Sequence, residues 1–122
     1  MVFKGISKTF SLLNEKQYDT IGAFWDEMSD IYGLENLVGL GYKWHNGKID
    51  YAIGLKNGEI DGCNLTITLP DDDWVEVRGK TDNLKQIYDE IYKNGALTFE
   101  IESFYNNGDC IIKYYRKKNN GN

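Results

Sequence analysis

Polar and apolar residues alternate from the start of the chain. Over residues 3–13, Ile6, Phe10 and Leu12 fall to one side and Ser7, Thr9 and Ser11 to the other. That two-residue period is the mark of a half-buried strand. The period then changes. Tyr18, Ile21, Trp25, Met28 and Tyr32 recur at helical spacing, with Phe24 and Ile31 beside them and Asp19, Asp26, Glu27 and Asp30 opposite. Asn14 is placed to cap this helix, Gln17 completes a weak capping box, and Gly33 stops it. Val38, Leu40, Tyr42 and Trp44 resume the two-residue alternation in one register. Asn46-Gly47 predicts a tight hairpin, because its central positions need positive φ. Ile49, Tyr51, Ile53 and Leu55 form the return strand, and residues 56–62 a loop.

The second half follows the same order of parts. Leu65, Ile67 and Leu69 make a short strand ending at Pro70, and residues 74–79 make another. Thr81 caps a second helix with Asp82 in its first turn, and Leu84, Ile87, Tyr88, Ile91 and Tyr92 form its stripe. Asn94-Gly95 ends it. Phe99, Ile101 and Ser103 alternate with Glu100, Glu102 and Phe104; Asn107-Gly108 marks a second hairpin and residues 110–116 the last strand. Ile31-Tyr32 matches Ile91-Tyr92 at an offset of 60, and Asn46-Gly47 matches Asn107-Gly108 at 61. The expected fold is α+β: two β-α-β-β repeats, about 4–56 and about 64–117, with pseudo-twofold symmetry, antiparallel sheets and a central cleft. A chain of 122 residues suits one domain, 1–122.

Charge and composition narrow the function. The net charge is −5, and the one basic cluster, Arg116-Lys117-Lys118, reads as a solvated tail, so no direct nucleic-acid contact is expected. No apolar run is long enough to cross a bilayer and the N-terminus carries no signal pattern; no membrane partner and a cytoplasmic location are expected. Cys63 and Cys110 form no metal-type pair and read as free thiols. His45, the single histidine, sits at a hairpin tip, which argues against a nucleophilic triad. Asp71-Asp72-Asp73 lacks the spacing of a calcium loop and reads as a solvated loop. No metal or cofactor is expected.

Three Trp, nine Tyr and five Phe exceed what so short a chain needs for its core, so some should line a cavity. Tyr42, Trp44 and Tyr51 are the leading candidates. Trp74 either walls the cleft or anchors its loop, and Trp25 reads as core. Gly39, Gly41 and Gly54 lie inside strands, where they leave room for a ligand or a close backbone, or mark a bulge. Glu100 and Glu102 share a strand face. A solvent-facing edge explains them most simply; burial would instead make them an acid–base pair.

Four segments carry a resemblance to a known family. They are Phe24-Trp25-Asp26-Glu27; Gly41-Tyr42-Lys43-Trp44 through Ile49-Asp50-Tyr51-Ala52-Ile53-Gly54; Leu69-Pro70-Asp71-Asp72-Asp73-Trp74-Val75; and Phe99-Glu100-Ile101-Glu102-Ser103-Phe104-Tyr105 followed by Cys110-Ile111-Ile112-Lys113. Their order and spacing resemble the GyrI-like small-molecule-binding domain, the effector-binding half of AraC-type and multidrug-sensing transcription regulators. The likeness runs from about residue 4 to about residue 117. It implies two β-α-β-β units around a central pocket. Members that bind cationic drugs place a glutamate in that pocket from the final strand; the matching residue here is Ile111, with Lys113 two positions on. On the resemblance, the pocket loses its buried anion and gains a cation, and Glu102 stays a minor candidate for the acid. No helix-turn-helix precedes the first strand, so DNA binding through the chain itself is not expected.

The leading expectation is a stand-alone domain that senses or sequesters an uncharged or weakly charged aromatic or amphipathic compound. Its ligand-binding candidates are Tyr42, Trp44, Tyr51, Trp74, Glu102, Ile111 and Lys113, with Lys113 available to an acidic ligand group. One alternative is an interaction protein that modulates DNA gyrase or another partner. The other is a hydrolase using Glu102 or Glu100 as base and Tyr51 as helper.

Overall fold

The computed structural model describes residues 1–117. In chain order the elements are β1 (Val2–Ser11), α1 (Gln17–Tyr32), β2 (Leu37–His45), β3 (Lys48–Leu55), β4 (Leu65–Thr68), β5 (Val75–Lys80), α2 (Leu84–Tyr92), β6 (Phe99–Phe104) and β7 (Asp109–Tyr115). The architecture is α+β, as the change of period along the chain implies. The strands form one open antiparallel sheet in the order β4-β1-β3-β2-β6-β7-β5, where separate sheets were expected. The join is made by β2 and β6, which pair Gly39 with Glu102 and Gly41 with Glu100.

The two-residue alternation sorts side chains between the sheet's faces. Both helices pack on one face. α1 buries Phe24, Trp25 and Met28 in a cluster with Ile49, Tyr51 and Ile53 of β3, and α2 buries Tyr88 and Ile91 against Ile112 of β7. The other face carries a second cluster built on Phe3, Leu40, Ala52 and Leu69. Ile31, placed beside the α1 stripe by spacing, is 66% exposed, one residue before the end of the helix.

The Asn46-Gly47 turn forms as expected, with φ of 49° and 72°. Helix entry differs from expectation. Asn14 lies in a short 3-10 turn at φ 54° and makes no cap bond; Lys16 precedes α1 instead. Thr81 opens a 3-10 turn rather than capping α2. The basic cluster is not a solvated tail throughout. Arg116 is half-buried, its Nη2 donating to the carbonyl oxygen of Ile91 and, at 3.4 Å, to that of Gly95. Ile91 lies in the last turn of α2, whose final carbonyls lack helical partners, and Gly95 three residues beyond its end. Lys118 lies outside the described residues. Cys63 and Cys110 are free thiols, Cys110 buried. Among the described residues no helix is long and apolar enough to cross a membrane.

Candidate functional site

A cavity of about 550 Å³ lies between α1, α2 and the middle of the sheet. α1 contributes Tyr18, Gly22, Trp25 and Asp26 to its wall; α2 contributes Tyr88 and Tyr92; the sheet contributes Trp44, Tyr51, Glu100, Glu102 and Phe104. Asp82 also lines it, and among the described lining residues none is Lys, Arg or His.

Its floor is a buried network of acids and phenols. Glu100 and Glu102 are each 5% exposed, so the solvent-facing reading of this strand is overturned. Glu102 is saturated: Tyr51 donates to its Oε1, and Tyr88 to its Oε2 at 2.7 Å. Tyr51 in turn accepts the indole N–H of Trp25 at 2.8 Å. Glu100 has fewer partners. Tyr92 donates to its Oε2 at 3.0 Å, and among the described residues no hydrogen bond reaches its Oε1. Gln17 lines the same cavity with a buried Oε1 that has no partner.

Two glycines make this packing possible. A Cβ on Gly39 would lie 2.0 Å from the Tyr51 hydroxyl and 2.7 Å from Trp25. A Cβ on Gly41 would meet Glu100 Cγ at 2.8 Å. A bare stretch of β2 therefore faces the largest polar side chains of β3 and β6. Gly54 is bare for a different reason, the Lys4 carbonyl oxygen at 2.1 Å from its would-be Cβ. Gly22 has no steric cause at all. It sits in mid-helix, where glycine costs about 1 kcal/mol relative to alanine, and a Cβ there would meet nothing within 4 Å. It faces the open cavity.

Burial sets the protonation of the floor. It pushes the Glu100 carboxyl well above the ordinary carboxylate range, and the neighbouring Glu102 charge adds to the shift. Burial also raises Glu102, but the hydrogen bonds from Tyr51 and Tyr88 oppose it. Residues two apart on a strand stand about 7 Å apart along it, and two charges at that spacing repel by about 2 kcal/mol at an effective dielectric near 20. Both carboxyls are raised, Glu100 further than Glu102, so of the two Glu100 is the one that holds a proton more readily. The phenols remain donors: burial and the carboxylates raise Tyr51 and Tyr88 well above their usual range, and Tyr18 is pushed up to about 12.

The sequence-derived candidates separate between the two faces. Trp44, Tyr51 and Glu102 line this cavity. Tyr42 does not, although its spacing aligned it with Trp44. The pairing of β2 with β3 shifts between Gly41 and Lys43, so Tyr42 is the extra residue of a bulge. It turns to the other face and bonds Ser7 Oγ at 2.6 Å. Trp74, Ile111 and Lys113 border a second hollow, of about 790 Å³, on that face. Trp74 donates its indole N–H to the Pro70 carbonyl at 2.8 Å, and Lys113 lies 4.0 Å from Glu76. The anticipated exchange of the cavity's anion for a cation is not found. The carboxylates stand on β6, and Ile111 and Lys113 face away from them because Cys110 and Ile112 take the helix-side positions of β7.

Reasoning from the sequence missed Tyr18, Tyr88 and Tyr92 as cavity residues and favoured the core for Trp25, which lines the cavity as well. A signal was present: rings with polar tips recur on one face of each helix, seven residues apart at Tyr18, Trp25 and Tyr32 and four apart at Tyr88 and Tyr92, and an unforced glycine interrupts α1. His45 remains a turn residue bonded to Asp50 at 3.0 Å, and the described residues hold no cluster of metal-ligating side chains. No family model, curated protein or solved structure matches the chain.

Proposed function

We propose that this chain is a small-molecule-binding domain whose cavity takes an aromatic or amphipathic organic cation, which it senses or sequesters. One observation carries the reading: two buried carboxyls form the floor of a ring-walled cavity whose described lining holds no basic side chain. A volume of about 550 Å³ falls within the span of small-molecule sites, roughly 300–1,000 Å³. Trp44 and the tyrosines offer stacking and cation–π attraction, stronger where water is excluded. The carboxylates move the choice of ligand from an uncharged compound to a cation, since an anion would meet uncompensated charge.

The resemblance to the GyrI-like domain belongs to the same proposal. Without its edge strand β4, the sheet order β1-β3-β2-β6-β7-β5 reads alike from either end about the β2–β6 pair. Each half has the order strand, helix, strand, strand. Both features support two β-α-β-β repeats meeting at a central cleft.

The test is a fluorescence titration with ethidium, a planar monocation, beside the anionic dye 1-anilinonaphthalene-8-sulfonate. Ethidium binding that quenches tryptophan emission, raises Tm and weakens in Trp44→Ala is the expected result. Preference for the anionic dye, or no binding of ethidium, tetraphenylphosphonium or proflavine, overturns the reading. The Tyr51–Glu102 hydrogen bond favours a second reading, a hydrolase with Glu102 as base. Ester or amide hydrolysis abolished by Glu102→Gln would establish it.

A further inference from the structure

Glu100 and Glu102 lie on one strand and face one cavity but differ in their partners. Among the described residues Glu102 has a phenol donor on each oxygen, whereas Glu100 has one donor, from Tyr92. The empty cavity can satisfy one buried anion and not two. We propose that the site is a proton–cation exchanger: Glu100 carries a proton when the cavity is empty and releases it to solvent when a singly charged guest binds. The inference rests on the cation-binding reading and adds the proton stoichiometry of binding.

The balance is simple. The empty floor holds one negative charge, on Glu102, and one acidic hydrogen, on Glu100. The guest brings one positive charge and displaces that hydrogen as a proton, leaving two carboxylates and one cation, again a net charge of −1 on the floor. A neutral guest would release nothing. Placing a charge near Glu100 favours its ionised form, and the proton in turn opposes the guest.

The surroundings support this assignment. From α2 the pair meets Tyr92 and Tyr88, from β3 Tyr51, from α1 Tyr18 and Asp26, from the turn before α2 Asp82, and from β7 the Cys110 thiol. Those groups are acids or neutral donors; no basic group among the described lining residues can take the place of the proton. Glu100 is also the carboxyl against bare backbone, its Cγ and Oε1 lying 2.8 and 2.9 Å from the Cβ that Gly41 lacks.

Two experiments test the exchange. The first needs no guest: infrared spectroscopy of the full chain at neutral pH should show a protonated-carboxyl band that Glu100→Gln removes and Glu59→Gln, at an exposed loop position, leaves in place. The second is calorimetry with ethidium in phosphate and in Tris. The difference in apparent heat should report about one proton released per guest, and affinity should rise by up to about tenfold per pH unit while Glu100 is protonated. In Glu100→Gln both the proton release and the pH slope vanish, and ethidium binds at least tenfold more weakly. Ethidium binding without proton release, or no protonated carboxyl in the empty protein, overturns the exchange and leaves cation binding standing. Failure of ethidium, tetraphenylphosphonium and proflavine alike to bind overturns both.

Discussion

The two faces of the sheet are built from the same alternating strands, yet they treat charge in opposite ways. On the face beneath the helices, β6 buries Glu100 and Glu102 among tyrosines, and the cavity there has no described basic lining. On the other face the same strand presents Ile101, and the hollow is bordered by Lys4, Lys56 and Lys113 together with Asp71 and Glu76. The ordinary arrangement would put carboxylates outward and isoleucine inward. Its inversion on β6 shows that the polar interior is specified side chain by side chain, with glycines on β2 cut to fit it. An apolar core would be simpler to stabilise; buried acids are retained where they meet a ligand or a proton.

The contrast can be broken most severely at Gly39. Gly39→Ala should cost about 3 kcal/mol or more, read by denaturant unfolding, because the Tyr51 hydroxyl and Trp25 ring both stand where the methyl must go. An unchanged midpoint would show that the network is loosely held. Tyr51→Phe should cost about 2 kcal/mol, since the Trp25 N–H and one Glu102 oxygen are left unpaired in a dry site. A smaller effect comes from pH. The folded form binds a proton on Glu100 that the unfolded chain, with an ordinary value of 4.5, gives up. That contribution is fully present below about pH 4.5 and is lost as pH rises toward the folded value, by at most about 1.4 kcal/mol per unit. Glu100→Gln should flatten that part of the curve.

Gly22→Leu should raise stability by up to about 1 kcal/mol, because the helix gains a better former and the cavity an apolar filling. The same change should abolish ethidium binding, separating fold from function. On the other face, Lys113→Ala should change stability by less than about 0.5 kcal/mol and leave ethidium affinity unaltered, since an exposed pair with Glu76 contributes little. Weaker ethidium binding in Lys113→Ala would move the site to the wrong side of the sheet.

Much of this was legible from spacing. Both helices, the Asn46-Gly47 turn and the inward register of Tyr51 follow from period and turn chemistry. Strand alternation cannot say which face is buried when both carry large apolar residues, and residues 99–104 read more simply with the glutamates outward, the reverse of what the fold does. A bulge is only one reading of Gly39, Gly41 and Gly54, and alternation cannot place it at Tyr42, because one inserted residue reverses every later position without altering the pattern on either side. Glycines two apart on β2 and large polar side chains two apart on its neighbour were the available clue: Gly41 makes room for Glu100 of β6, and Gly39 for Tyr51 of β3 and Trp25.

Arg116 never touches the cavity, yet it grips the carbonyl ends of the helix that carries Tyr88 and Tyr92. The exit from β7 is thus a latch on the cavity wall. Trimming the chain just before this arginine would free the helix to swing, and the two tyrosines would lose their aim before any strand came apart.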